Sequence, residues 1–360
     1  MTIEHRTRND TIALDDWDAP DEGPAFEEEH HNTEHLAAVK KKMQELRKIY
    51  IETERDDVLR MQFETLLEER EAGAPIRDYS GLLVKASSGA GKSTMLRDFL
   101  RHHPAVHDFG RERSDFIHID VPSPVNNKTL GLEVLRCMYP QQRGNAPSNS
   151  KDIALSDIWV ETRNMAAELG VWGLWIDEAH DLANGGHHMM KVMRSSFKRW
   201  MAHEHRPILI LSGTPEIEDI FETRELRRRF LLVESPTLSA DTDLPELRRM
   251  IATYLRAAEL GIHSSLGEFM PRLVHAGTKQ IGWTINVVLE AIREALMERS
   301  SVLSVEHFAA SYGRLIRAEP RNNPFIADDW SRIDTVLHRS TIDEQGKQKR
   351  RSRKREDGPW

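Results

Sequence analysis

The chain has 360 residues, 39% apolar and 30% charged, with a formal net charge of −8, room for one large or two modest domains and too acidic to coat nucleic acid with its whole surface. No apolar run approaches the roughly 20 residues needed to cross a bilayer, and the N-terminus lacks the basic-then-apolar order of a signal peptide. A lone cysteine, Cys137, excludes an intrachain disulfide or a multi-cysteine zinc site, so a cytoplasmic protein with no membrane contact is expected.

Residues 1–33 are rich in Asp and Glu, contain Pro20 and Pro24, and read as an acidic disordered tail. From Thr33 the pattern turns helical. Leu36, Val39, Met43, Leu46 and Tyr50 recur at three- and four-residue spacing, and Val58, Met61, Phe63, Leu66 and Leu67 form a second set. Two amphipathic helices thus make an N-terminal segment over 34–75, closed by Ala72-Gly73-Ala74-Pro75.

Leu82, Leu83 and Val84 predict a buried strand, followed by a Gly-rich turn and a helix from about Gly91 to His102. Further strands are expected at Phe116–Val121, Val171–Ile176, Ile208–Leu211 and Phe230–Val233. Helices fall between them at Lys128–Met138, Ile153–Leu169 and His187–Ala202, with a loop over Tyr139–Lys151 and a short helix after Pro215. This alternation implies right-handed crossovers and a parallel sheet, an α/β core over 76–235. Beyond Ser235 the strand pattern stops. Leu244–Leu260, Leu266–Ala276, Ile281–Met297 and Val305–Ile316 read as four helices of a separate domain over 236–320. Residues 321–360 form an extension whose basic run, 347–355, is either a solvated tail or a contact for phosphates or an acidic partner.

The first strand leads into Ala86–Ser93, which follows the pattern G-x-x-x-x-G-K-[ST] except that Ala86 replaces the first glycine. Inward-turned backbone N–H groups backed by a helix N-terminus make an anion site. Ser88, Gly89, Ala90, Gly91, Lys92, Ser93 and Thr94 are therefore the expected contacts of a nucleoside triphosphate, ATP. Lys92 supplies charge at the β/γ-phosphates and the Ser93 hydroxyl a ligand for Mg²⁺. A Cβ at Ala86 is tolerable if φ stays negative.

The apolar strand Val171–Ile176 ends in Asp177-Glu178, at the end of a parallel sheet that faces the phosphate crevice. Asp177 can hold Mg²⁺ and Glu178 can orient or deprotonate the attacking water. Leu211-Ser212-Gly213-Thr214-Pro215 ends the next strand; Thr214, ahead of a helix-starting Pro215, is favoured over Ser212 to contact the γ-phosphate or the water. Asp177-Glu178-Ala179-His180 spells the tetrapeptide of the DEAH-box helicases. Those enzymes need two tandem motor domains, and this chain has room for one. The histidine pairs at 30–31, 102–103 and 187–188 lack acidic or cysteine partners in a convincing array and read as solvated.

Taken together, this core, the hydroxyl after the fourth strand, the basic stretch Arg227-Arg228-Arg229-Phe230 and the helical lid resemble the AAA+ ATPases. Within them, Ile176-Asp177-Glu178-Ala179-His180, Gly213-Thr214-Pro215-Glu216 and Arg228-Arg229-Phe230 resemble the TniB/TnsC transposition regulators, relatives of the MuB target-DNA-binding ATPases. The resemblance spans about residues 40–318, and ExeA-like and initiator-type ATPases share much of it. It implies a P-loop AAA+ core with a C-terminal helical lid, assembling on double-stranded DNA without sequence preference as a homo-oligomeric ring or helical filament. Such an ATPase links a target-selection protein to the transposase, with hydrolysis resetting the assembly. It further implies that Arg228 or Arg229 reaches a neighbour's γ-phosphate as a finger. Lys128 and Thr129, at a helix start after the second strand, would hold a DNA phosphate, unless that helix is simply capped. The chain departs from many AAA+ proteins in its lid, where Gly282-Trp283-Thr284-Ile285-Asn286 offers no arginine before Arg293. A replication initiator or loader, a secretion-type ATPase, and a nucleotide-gated scaffold with little turnover are the alternatives.

Overall fold

The computed structural model describes residues 25–72, 78–138, 158–202, 204–240, 242–263, 266–317 and 319–336, apart from the side chains of 25–32, 184 and 266–268. Residues 1–24 of the acidic tail expected over 1–33, the loop over Tyr139–Lys151 and the basic run over 347–355 lie outside these residues, whereas residues 25–33 of that tail are helical.

The sheet is assembled around β1 (Gly81–Lys85), which pairs in parallel with β4 (Ile208–Gly213) on one side and β5 (Phe230–Glu234) on the other. Beyond β4 lie β3 (Gly173–Asp177) and β2 (Phe116–Asp120), giving five parallel strands in the order β2-β3-β4-β1-β5. Helices cover both faces, so the inner strands are apolar throughout, and successive residues serve opposite cores. Leu83 joins Ile119, Ile176 and Leu211 on one face. Leu82 and Val84 join Trp175 and Ile210 on the other.

The first face is covered by α4 (Asn127–Met138), α5 (Ile158–Leu169) and α6 (Gly186–Met201), through Val134, Trp159, Phe197 and Trp200. The second is covered by α2 (Glu54–Glu71) and α3 (Lys92–His102), through Phe63, Leu66, Leu96 and Leu100. A 3₁₀ turn over Pro215–Phe221 and the short α7 (Arg224–Arg227) lead from β4 to β5.

Helix α1 (Ala25–Leu46) starts ahead of the expected Thr33, because Ala and Glu propagate a helix anchored further along. The two N-terminal helices, grouped by the sequence, also part company. The apolar stripe Val39, Met43 and Leu46 of α1 packs into the C-terminal helical core, while α2 packs under the sheet. That C-terminal core is built by α8 (Leu244–Ala258), α9 (Leu266–Ala276), α10 (Ile281–Met297) and α11 (Val305–Ile316). Contrary to the expectation that strands end at Ser235, β6 (Gly261–Ile262) and β7 (Val302–Leu303) pair in parallel there. Two-residue strands are too short to leave an alternating pattern. Among the described residues, no helix is long and apolar enough to cross a membrane.

Candidate active site

The phosphate loop leaves β1 at Ala86 and enters α3 at Lys92. Ala86 is buried and avoids the left-handed region, so its Cβ is accommodated. Gly89 (φ 74°) and Gly91 (φ 88°) do occupy that region, where a side chain would be strained. Gly91 is also the N-cap of α3, and being glycine it contributes no side-chain cap. The first N–H groups of α3 thus keep the positive end of the helix directed at the loop. Lys92 is only 6% exposed, and its ammonium donates to the carbonyl of Ala86 at 2.9 Å, which holds the charge inside the loop.

Across the sheet, the β3 and β4 ends are bound together by a buried relay. The Trp175 indole N–H donates to Ser212 Oγ (2.7 Å), whose hydroxyl donates to Asp177 Oδ1 (2.6 Å). The Glu178 backbone N–H donates to the same oxygen at 3.0 Å. Asp177, 2% exposed, is therefore fixed in place, while the fully buried Ser212 supports it and stays away from the crevice. Glu178 adopts a left-handed conformation (φ 54°, ψ 33°) with its carboxylate half-exposed. Burial, reinforced by the Asp177 charge, pushes that carboxyl above the usual range, while His180 and Lys92 pull the other way. Thr214 caps the 3₁₀ turn, and its hydroxyl hydrogen-bonds the Glu216 carboxylate, holding that group below the usual range.

Asp120 was not anticipated. It lies beside Asp177 in the β2–β3 register, and ligand atoms of His118, Asp120 and Asp177 lie within 4.8 Å of one another. The two carboxylates, Asp120 and Asp177, at this end of the sheet suit Mg²⁺, which prefers hard oxygen ligands, whereas the His118 nitrogen does not. Strand-end aspartates were the available sequence signal.

A second group of residues also escaped the sequence reading. Beside the phosphate loop opens a cavity of about 220 Å³, lined by Ile49, Tyr50 and Thr53 from the α1–α2 linker, Met250 and Tyr254 from α8, and Ile285 and Asn286 from α10. Ala90, Gly91 and Thr94 form its floor. Mostly apolar, with a few polar groups at its edge, it has the character of a nucleobase site. Arg47 and Arg55, from the N-terminal side, also line it. Arg293, the first arginine of α10, instead pairs with Glu290 at 2.9 Å and does not line the cavity.

A sequence profile described as "Bacterial TniB protein" matches residues 42–239, more than half of the chain. The chain belongs to the TniB family. No curated protein matches it. Among solved structures it is similar to the Walker-type ATPase PABY2304 of Pyrococcus abyssi, at 18% identity over 77% of this chain and 78% of that one, with a TM-score of 0.48. It is similar to Aeropyrum pernix ORC1 in complex with DNA, at 14% identity over 74% and 66%, with a TM-score of 0.50. Thermotoga maritima RuvB, the Holliday junction branch migration motor, gives 12% identity over 72% and 69%, with a TM-score of 0.42. At these identities the likeness concerns the fold, which is that of the P-loop AAA+ ATPases. The family and the phosphate loop, with Gly91, Lys92 and Ser93 in place, together make this TniB chain an ATPase.

Two sets of expected residues lie away from this crevice. Arg228 and Arg229 precede β5 and pair with Asp78, at 3.3 Å and 3.8 Å, while the Arg229 carbonyl accepts from Ser80 and Gly81. They occupy the N-terminal rim of the sheet, and the phosphate loop the C-terminal rim, since Gly81 and Phe230 are paired in register. A five-residue strand separates the two, roughly 16 Å at the usual rise. Lys128 and Thr129 do lie in the first turn of α4, but Asn126 Oδ1 already accepts both of their backbone N–H groups, at 3.0 Å and 2.9 Å. The helix-terminus part of a phosphate site there is satisfied within the TniB chain itself.

Proposed function

We propose that this TniB ATPase is a transposition regulator that assembles as a homo-oligomer on double-stranded DNA and links target selection to a transposase, with hydrolysis controlling the assembly. The observation that carries the oligomeric part is the placement of Arg228 and Arg229 at the rim opposite their own phosphate loop. Arg228 is exposed there and Arg229 largely buried beside it, so Arg228 is the better suited of the two to reach the next protomer's γ-phosphate as a finger, each site being completed by a neighbour. DNA contact is supported by family membership and by a similar fold solved in complex with DNA. Lys128 contributes charge to that contact, and with no base-reading element evident, binding follows the backbone and weakens with salt.

In the reaction, the α3 N-terminus and Lys92 hold the phosphates by backbone N–H groups and charge. Ser93 and Asp177 would hold Mg²⁺, which when bound neutralises phosphate charge and fixes its geometry. Glu178, with its raised proton affinity, orients the water and accepts its proton, and Thr214 stands at the γ-phosphate end of the crevice. The apolar cavity beside the linker takes the base.

The test pairs Glu178→Gln with salt-dependent binding to duplex DNA. Hydrolysis should vanish while ATP-dependent assemblies on DNA persist or last longer. Unchanged turnover would remove Glu178 from its role, and no DNA binding at low salt with a slowly hydrolysed ATP analogue would defeat the transposition reading.

A further inference from the structure

His180 stands between the two loops that the reaction uses. Its Nδ1 faces the backbone N–H of Thr214 at 3.4 Å, and its Nε2 faces Glu178 Oε2 at 3.5 Å and Asp181 Oδ1 at 3.8 Å. Because Nδ1 accepts from a backbone N–H, the ring proton of the neutral imidazole belongs on Nε2, the nitrogen turned to the Glu178 carboxylate. The ring can lie there because residue 213 has no side chain. A Cβ on Gly213 would stand 3.1 Å from both the backbone N and Nδ1 of His180. Two strand ends are thereby adapted to one imidazole, which is mostly shielded, with its side chain 21% exposed. Glu178 in turn needs a restraint. Its left-handed backbone leaves the side chain half-exposed, and the Asp177 relay fixes its backbone N–H but not its carboxylate.

We propose that His180 is a positioning residue that holds the Glu178 carboxylate in register with the Thr214 loop, so that a displacement at Thr214 is passed to Glu178 through the imidazole. The nucleotide itself is reached by Thr214 and Glu178, and His180 acts only through them. This rests on the reading of Glu178 as the group that activates water. The two contacts are long for hydrogen bonds, and catalytic contacts of this kind shorten in the liganded state. The role also accounts for the fourth letter of Asp177-Glu178-Ala179-His180, since in this fold the histidine ties β3 to β4 within one protomer.

The experiment is steady-state ATP hydrolysis by the full chain on duplex DNA, with affinity for a fluorescent ATP analogue measured in parallel. His180→Ala should lower kcat by roughly 10- to 100-fold, the scale of a catalytic group misplaced by about an ångström. KM and analogue affinity should stay within about twofold. His180→Gln, whose amide nitrogen reaches the Nε2 position, should recover most of the rate, and the shorter His180→Asn should not. A kcat for His180→Ala within twofold of the parent, or Gln and Asn variants that behave alike, overturns the proposal. If the Ala variant does not fold, the Gln and Asn pair decides. Failure is separable from that of the underlying reading: Glu178→Gln with full turnover refutes the role of Glu178, whereas an inactive Glu178→Gln beside an active His180→Ala refutes only the histidine.

Discussion

Gly282, at the start of α10, rests directly on Gly89 of the phosphate loop. A Cβ on Gly282 would stand 2.6 Å from the Gly89 carbonyl oxygen and 3.0 Å from the Gly91 nitrogen. The next residue, Trp283, donates its backbone N–H to that same carbonyl at 2.9 Å. The lid therefore meets the nucleotide loop by backbone contact where many AAA+ lids use an arginine. Ile285, one turn on, presents an apolar side chain to the same cavity.

Gly282→Ala should consequently push the lid away from the loop. Overpacking of this kind costs about 1–3 kcal/mol, which opposes the arrangement that encloses the cavity beside the loop. Nucleotide affinity should fall roughly tenfold or more, with the far-ultraviolet circular dichroism spectrum unchanged, as a fluorescent-analogue titration would report. Parental affinity in the variant would show that lid contact at Gly89 is irrelevant to binding.

Because Arg228 and Arg229 sit at the rim away from their own loop, the finger proposal predicts complementation. Arg228→Ala/Arg229→Ala protein and Lys92→Ala protein should each be nearly inactive, since a finger is worth about 10³ or more in rate. Mixed on DNA, the two should regain part of the turnover, because some interfaces join an intact loop to an intact arginine. Absence of recovery at every mixing ratio would count against an arginine acting in trans.

Lys85, the last residue of β1, ties three segments together. Its ammonium meets Glu218 at 2.5 Å and Glu234 at 3.0 Å. Those hydrogen bonds raise the proton affinity of Lys85 and hold Glu218 below the usual carboxylate range. A depressed carboxylate adds stability above its unfolded pKa and loses it as pH falls through the folded value. A raised ammonium adds stability below its unfolded pKa and loses it as pH rises through the folded value. The cluster is thus fully effective across neutral pH. Its carboxylates are about half-exposed, so solvent screens them and Lys85→Met should cost only about 1 kcal/mol at neutral pH. In urea unfolding, the gap between variant and parent should close as pH drops below the carboxylate range; a gap independent of pH would assign the loss to packing alone.

The phosphate loop and the Asp177-Glu178 pair were legible because their chemistry is carried by neighbours in sequence at a strand end. The cavity beside the loop was not, because Tyr50, Tyr254 and Asn286 come from three segments with no local pattern linking them. Ser212 illustrates the same limit from the other side. Its position beside Thr214 left its role open, and only the facing Asp177 and Trp175 make it a buried support. The division of α1 and α2 between the lid and the sheet was equally hidden, since both show the same amphipathic period and nothing in a period names the surface it meets.

The sequence by itself determined that this chain carries a phosphate loop on a parallel sheet, with a carboxylate pair at the crevice and a helical lid behind. Backbone conformation and burial at those places follow from residues a few positions apart. Only the tertiary structure decided how the lid meets the loop, which segments enclose the cavity beside it, and which residue Arg228 and Arg229 pair with. These are relations between elements far apart in the chain, set by which apolar faces pack together. The contact of Gly282 with Gly89 is the plainest instance, because two residues without side chains leave no mark in a hydrophobic pattern and matter by letting backbones touch.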